Sequence, residues 1–139
     1  MQDEFLIFDD VLWRYGCSCP EAVIPKEVRR IYYEAFVDCP TLVHVVFPEE
    51  LTQIGQFAFA GCRALECVCL PPRLTEIAQG TFQGCVSLKE VMIPDGVRNI
   101  EHKAFEGCTA LEEVCVPANC RIDPQAFPPS CRVILRNCG

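Results

Sequence analysis

The stretch that decides the fold is LTQIGQFAFAGCRALECVCLP, from Leu51 to Pro71, because its landmark residues return every 23 positions along the chain. Each landmark defines a column that runs through four successive units. The columns are Ile31, Ile54, Ile77 and Ile100; Phe36, Phe59, Phe82 and Phe105; Cys39, Cys62, Cys85 and Cys108; Leu42, Leu65, Leu88 and Leu111; Val45, Val68, Val91 and Val114; and Pro48, Pro71, Pro94 and Pro117. Self-similarity at a fixed short period is typical of a stacked repeat architecture.

Each unit carries one short strand, read as VVF, VCL, VMI or VCV. The outer two residues lie two positions apart and share one strand face, so Val45 and Phe47 are predicted to point inward and His44 and Val46 outward. The Pro that follows has no N–H and ends the pairing. The predicted strands lie near 43–47, 66–70, 89–93 and 112–116, with an extra one near 22–24. Because each is followed by the same return path, they are expected to stack as a parallel sheet.

The return segment QFAFAGC and its equivalents are expected to form about one turn of α-helix or 3₁₀-helix on the opposite side. They have apolar residues at short helical spacing and are too short for a long helix. Gly61, Gly84 and Gly107 precede the repeated Cys, and Asp38 stands there in the first unit. Gly or Asp at this position suits a tight turn with positive φ.

The repeated motif LxxIxxxAFxxCxxLxxVxhP, in which h is apolar, spans Val28 to Pro117 and resembles the BspA-type leucine-rich repeat family. The resemblance implies an α/β solenoid: a right-handed leucine-rich-repeat stack with a parallel sheet on one face and short helical or 3₁₀ turns on the other. It also implies an adhesion or protein-interaction module, often at a bacterial surface.

The 139 residues suit a single repeat domain, 1–139, in which residues 21–117 hold the repeats. Residues 1–20 are predicted to form an N-terminal cap, since a solenoid needs its open end covered. Two apolar runs in FLIFDDVLWRY flank Asp9-Asp10 and indicate a β-hairpin. Its proposed capping side chains are Phe5, Ile7, Leu12 and Trp13.

The period breaks after Pro117, where Ile122 and Phe127 come one residue early. Residues 118–139 are therefore predicted to be a degenerate final turn that caps the C-terminal end. Residues 133–135 can form a last strand, whose register the sequence does not fix.

The net charge of −7 and the pI of about 4.8 exclude the basic face expected of a nucleic-acid binder. An anionic membrane surface would repel such a chain, and its apolar runs are far shorter than the roughly 20 residues of a membrane-spanning helix. Residues 1–10 carry four acidic and no basic residues, the reverse of a signal peptide. The chain is expected either to stay in the cytoplasm or to belong to a longer exported protein.

Twelve cysteines would ordinarily indicate a disulfide scaffold. Here, however, Cys39, Cys62, Cys85 and Cys108 occupy one apolar column and are expected to be buried, reduced thiols. Column neighbours in register lie about 4.8 Å apart, more than the Cβ separation of about 3.8 Å in a disulfide. The Cys17-Ser18-Cys19 segment is interpreted as loop cysteines, with half a metal site as the alternative.

No catalytic constellation is found, so the chain is predicted not to be an enzyme and to need no cofactor. Of the two histidines, His102 falls in a return segment and is expected to be solvated, while His44 faces outward from the sheet. A Cys–His dyad also needs an orienting group and an oxyanion site, which the sequence does not supply. The alternative is a metal- or thiol-based site formed by His44, Cys67 and Cys69, with Glu90 as a fourth ligand.

The outward sheet positions form two columns that point to binding. One column is Val23, Val46, Cys69, Met92 and Cys115; its neighbour is Glu21, His44, Cys67, Glu90 and Glu113. Soluble proteins rarely expose contiguous apolar patches, and solenoids commonly use this extended face for recognition. We therefore predict a non-enzymatic module that binds a protein partner. The predicted partner-binding residues are Val46, Cys69, Met92, Cys115, His44, Cys67, Glu90 and Glu113. The alternative is that the stripe has no function or is covered by a neighbouring copy.

Overall fold

The computed structural model describes residues 5–17 and 19–137, which form short strands and turns and contain no helix. No helix in these ranges is therefore long and apolar enough to cross a membrane. The strands are β1 Phe5–Phe8, β2 Val11–Tyr15, β3 Glu21–Val23, β4 Arg30–Ile31, β5 His44–Val46, β6 Gln53–Ile54, β7 Cys67–Cys69, β8 Glu76–Ile77, β9 Glu90–Met92, β10 Asn99–Ile100, β11 Glu113–Pro117, β12 Arg121–Ile122 and β13 Arg132–Arg136.

The main sheet contains β3, β5, β7 and β9, in that order, with all neighbours parallel. These strands are equivalent positions of successive repeats, and β11 continues the series at the predicted place. The parallel stacking and the predicted strand positions are thus confirmed. The alternation is confirmed as well, since Val45 and Val68 are buried and Val46 is exposed.

A second set of two-residue strands carries the Ile column. In it, β4 and β6 continue from β2, and β8, β10 and β12 form a separate parallel sheet. Backbone bonds link successive coils beyond the strands, such as Gly55 N–H to the Ile31 carbonyl at 2.8 Å. Each repeat is therefore bonded mainly to the repeat before and after it.

The return segments form successive turns instead of the expected helical or 3₁₀ turn. In each segment every second backbone N–H donates to a carbonyl of the next repeat, as Phe59 N–H does to the Thr81 carbonyl at 2.8 Å. The backbone N–H groups between them donate within their own repeat and close local turns. The predicted positive φ before each Cys is confirmed, at 55° for Asp38 and 75° for Gly61. A further positive φ, four residues earlier in each unit (57° at Phe57), turns the chain again and prevents a helix from continuing.

The core is organised around one ladder of parallel aromatic rings. Phe36 and Phe59 stack at 4.6 Å between centroids, Phe59 and Phe82 at 5.4 Å, and Phe82 and Phe105 at 5.3 Å. The four rings are fully buried. Phe127 extends the ladder at 4.9 Å although it comes one residue early in the sequence.

The two ends of the ladder are covered differently. At the N-terminal end β1 and β2 form the predicted antiparallel hairpin, and Tyr15 stacks on Phe36 at 5.0 Å. At the other end β13 pairs with β11 in parallel, with Arg132 opposite Glu113, a step of 19 residues where the repeats have 23. The last coil is thus shorter than the others, which is why its register could not be read from the period.

The Cys column is buried, but the prediction that all four of its members are thiols is wrong for Cys39. Cys62 Sγ donates to the Phe36 carbonyl at 3.1 Å, and Cys85 and Cys108 make the same bond one and two repeats later. Cys39 instead forms a disulfide with Cys17. Cys17 lies outside the column, in the loop after the hairpin, and meets the column at its end.

The buried thiols make the fold sensitive to alkali. Burial raises the pKa of Cys62 and of Cys108 from 9.0 to about 12, and raises the pKa of Cys85 as well. Because the unfolded chain releases these protons first, their stabilising contribution is complete only well below pH 9.0, begins to fall as the pH approaches 9.0 and continues to fall toward about 12. Between pH 8 and 9 we expect the free energy of unfolding to fall by about 1 kcal/mol for the three thiols together.

Denaturant titrations at several pH values measure this loss. The matched variant Cys85→Ala keeps two of the three thiols, so its alkaline slope is expected to be about a third shallower. A free energy of unfolding that is constant from pH 8 to 9.5 would show that the thiols ionise equally well in the folded chain.

Candidate binding surface on the parallel sheet

The main sheet brings the predicted partner-binding residues of β5, β7 and β9 into two adjacent columns, and Glu113 and Cys115 of β11 line the same concavity. Glu21 is opposite His44, His44 opposite Cys67, and Cys67 opposite Glu90. In the other column, Val23 is opposite Val46 and Cys69 opposite Met92. This register follows from the period of 23, because equal coil lengths bring equivalent residues side by side.

The second of these columns is an exposed apolar stripe. Met92 is 65% exposed, Val23 53% and Val46 47%, and Cys69 and Cys115 are exposed as well. Apart from Val23, the stripe and its acidic neighbour line one open concavity, together with the inward-column residues Val45, Val68, Val91 and Val114. A surface of this shape offers contact area to another macromolecule and does not enclose a small ligand.

The acidic column is less uniform than the sequence indicates. Glu21, Glu90 and Glu113 are exposed, but β13 places Arg132 beside Glu113, with Nη2 2.7 Å from Oε1. Cys67 Sγ lies 3.9 Å from Glu90 Oε1, a weak contact. The negative charge that is available to a partner is therefore concentrated on the part of the column before β11.

Sequence reasoning missed two residues that complete this face. Strand β13 adds Arg132 to the acidic column and Ile134, opposite Cys115, to the apolar stripe. The only sequence signal is the continuous apolar run of residues 133–135, which fixes neither the register nor the face. The shorter last coil determines both the register of β13 and the face on which Arg132 and Ile134 lie.

The alternative metal site is not formed. Within residues 5–17 and 19–137, no three His, Cys, Asp or Glu side chains gather as metal ligands would. His44 and Cys67 are neighbours in one column, but Cys69 stands two residues further along its strand. An open sheet holds these side chains side by side, whereas a zinc ion needs ligands that converge on one point.

The other histidine is held by a carboxylate instead of being simply solvated. His102 is partly buried, and its Nδ1 lies 3.2 Å from Asp123 Oδ1. The pKa of Asp123 is lowered, first by the backbone N–H of Gln125 and then by His102. Within the residues that the structure describes, this pair has no nucleophile in its hydrogen-bonding network.

Comparisons with known proteins support the repeat assignment. The BspA type leucine rich repeat region matches residues 12–132 in 6 copies, so it includes coils on either side of the complete units. A sequence comparison with curated proteins found no significant match.

Among solved structures, the chain is similar to a leucine rich cell surface protein from Faecalibacterium prausnitzii A2-165, with 34% identity and a TM-score of 0.87 over 92% of this chain and 35% of that one. It is similar to a leucine rich repeat protein from T. pallidum, with 29% identity and a TM-score of 0.77 over 93% of this chain and 62% of that one. A leucine-rich repeat protein from Bacteroides ovatus ATCC 8483 shares the fold at 21% identity, with a TM-score of 0.78 over 98% of this chain and 40% of that one. The chain therefore spans 35% to 62% of the length of these proteins.

Proposed function

Because the chain belongs to the BspA-type leucine-rich repeat family, whose members are generally protein-interaction modules, we propose that it is a non-enzymatic module that binds a protein partner through the exposed face of its parallel sheet. The observation that carries this proposal is the exposed apolar stripe of Val46, Cys69, Met92 and Cys115. The function resembles that of bacterial adhesion and interaction repeats.

The apolar stripe supports the proposal because stacking does not require it. The inward residues Val45 and Val68 build the core, and polar side chains would serve equally well at the outward positions Val46 and Cys69. Apolar side chains there leave surface in contact with water that a partner would cover. Met and Cys are soft and adaptable, which suits the irregular surface of a protein better than a small polar ligand.

The neighbouring column supports a partner with a basic edge. Glu21 and Glu90 form no ion pair with any residue of the described ranges, so their charges are available for complementary contacts. His44 and Cys67 stand between them in the same column. Charges at the rim of an interface act on partner choice and on association rate more than on affinity.

An oxidising compartment is part of this proposal. Disulfides such as Cys17–Cys39 form and persist in extracellular and cell-surface proteins and are rare in the cytosol. The relative from Faecalibacterium prausnitzii is described as a cell surface protein. Both observations favour a role outside the cytoplasm over the cytoplasmic alternative.

The double substitution Met92→Lys and Cys69→Lys tests the sheet face. Two charges in the middle of the apolar stripe would be desolvated on binding, so the partner should be lost while the fold persists. Affinity capture from the source cell or its host, quantified by mass spectrometry, is expected to show a drop of about tenfold in the main captured protein. Circular dichroism checks that the variant is folded.

The matched control is Val86→Lys, which places a charge on an apolar side chain of similar exposure, 44%, outside the strands of the sheet. This control is expected to keep the partner. Capture of the same protein in the same amount by wild type and double variant would contradict the proposal, and so would equal loss in both variants.

A further inference from the structure

A second groove lies over the strands of the Ile column, on residues that the sheet-face proposal does not use. Its floor is made of two small residues, Gly55 and Ala78. Gln53 and Glu76 rise along one side, paired in register with their equivalents in adjacent coils, and Gln56 and Gln79 rise along the other. The result is a trough that runs along the stack from coil to coil.

The floor is kept low by the close approach of the preceding coil. A Cβ added to Gly55 would lie 2.8 Å from the Tyr33 backbone nitrogen, so only glycine fits at this position. Ala78, one coil later, is 6% exposed and adds only a methyl group. The equivalent positions on either side are the larger residues Tyr32 and Glu101, which limit the trough at both ends.

Aromatic rings line an adjoining concavity, which shares Gln53, Gly55 and Gln56 with the trough and so extends it at one end. Trp13 and Tyr32 lie with ring centroids 4.1 Å apart, and Trp13 is 37% exposed, which is high for the only tryptophan of a domain with its own core. The side chain of Tyr33 is 48% exposed on the same surface. Trp13 belongs to β2 of the N-terminal hairpin, and it also lines this concavity.

The polar side chains that line the trough have unused hydrogen-bond donors and acceptors. The side chains of Gln53, Gln56, Gln79, Glu76 and Glu101 make no hydrogen bond to any residue within 5–17 and 19–137. By contrast, Gln83 and Glu106, which do not line the trough, form a hydrogen bond in which Gln83 Nε2 donates to Glu106 Oε1 at 2.6 Å. The trough residues are therefore open acceptors and donors that face a common space.

We propose that this trough binds a neutral oligosaccharide. The C–H face of a pyranose ring stacks on exposed aromatic rings such as Trp13 and Tyr32, and its hydroxyl groups both donate to and accept from amides and carboxylates. Successive coils repeat the walls at about 4.8 Å, close to the length of one sugar unit in an extended chain. Gln56 and Gln79 would thereby meet consecutive sugars.

The chemistry of the walls discriminates between this ligand and two others. A proline-rich peptide also docks on aromatic grooves, but it offers mainly carbonyl acceptors, and the carboxylates of Glu76 and Glu101 cannot donate to them. An acidic polysaccharide would be repelled by the same carboxylates and by a net charge of −7. Hydroxyl groups satisfy both carboxylates and amides.

The single tryptophan provides the test. Trp13 fluorescence is titrated with cellohexaose, mannohexaose and chitohexaose as neutral probes, and with hyaluronan hexasaccharide and a proline-rich decapeptide as comparators. A saturable change with at least one neutral hexasaccharide, and none with the two comparators, is the expected result. Saturation by the decapeptide alone or by hyaluronan alone, or no saturation by any neutral probe up to about 10 mM, overturns the proposal.

Variants locate the binding to the trough. Gln56→Ala combined with Gln79→Ala removes two hydrogen-bonding amides and is expected to raise the Kd of the neutral probe about tenfold, with an unchanged thermal midpoint. The matched control Gln125→Ala removes an exposed amide from the final coil and should leave the Kd unaltered. A Kd that is the same in the double variant and in the wild type, by calorimetry as well as by fluorescence, also overturns it.

Discussion

Replacing Phe82 with Ala is expected to lower the free energy of unfolding by about 3–5 kcal/mol, as measured in denaturant titrations. Phe82 is fully buried in the ring ladder, with Phe59 at 5.4 Å on one side and Phe105 at 5.3 Å on the other. Because both neighbouring rings are fixed by their own coils, the structure cannot relax into the space that the ring leaves. Most of the cavity should therefore persist.

Phe127 supplies the matched comparison. Its ring stacks on Phe105 at 4.9 Å but is only partly buried, and no further ring of the ladder follows it in the described chain. We expect Phe127→Ala to cost clearly less than Phe82→Ala. Equal losses for the two variants, or a loss below about 1 kcal/mol for Phe82→Ala, would contradict the ladder as the main source of core stability.

Loss of the Cys17–Cys39 disulfide is expected to lower the free energy of unfolding by about 3 kcal/mol. The bond closes a loop with a sequence separation of 22, which restricts the unfolded chain, and it ties the loop after the hairpin to the first Cys of the buried column. Cys17→Ser should show the loss directly, and dithiothreitol should produce a similar loss in the wild type.

The Cys17→Ser variant also distinguishes the effect of the disulfide on stability from any effect of the other cysteines. Dithiothreitol should have no further effect on Cys17→Ser, and Cys69→Ser should behave like the wild type because Cys69 is an exposed thiol. A wild-type protein whose stability does not respond to dithiothreitol, or whose peptide map shows Cys39 as a thiol, would rule out this bond.

The strands and turns could be predicted because they repeat. Each coil contacts mainly the coils next to it, so equivalent residues, such as those in the columns of Ile54 and Gly61, have similar surroundings in every unit. The period therefore predicts their structural role. The positive φ at Asp38 and Gly61 was predictable for this reason. The second positive φ, at Phe57, was not, because a bulky residue is rarely found in that conformation.

The features that the period does not contain were the ones that sequence analysis missed. Cys39 belongs to the column, but its partner Cys17 comes from a loop outside the repeats. Strand β13 follows a coil of a different length, so the pairing of Arg132 with Glu113 has no precedent in the earlier units. The floor of the trough depends on the small residues Gly55 and Ala78, which occupy equivalent positions in two successive repeats. In the sequence they look like ordinary variation between repeats.

Different interactions hold the first and the last coil of the stack, so we expect the local stability of these two coils to respond differently to solution conditions. The first coil is held covalently by Cys17–Cys39. The last coil is held by Arg136, whose Nη2 lies 2.9 Å from Asp95 Oδ1 and whose Nη1 donates to the Cys115 carbonyl at 3.0 Å. Salt screens such a partly exposed ion pair but leaves a disulfide intact. Since each coil contacts mainly its neighbours, we expect the amide protons of the coil that carries β13 to exchange faster as ionic strength rises, and those of the coil that carries Cys39 to respond little.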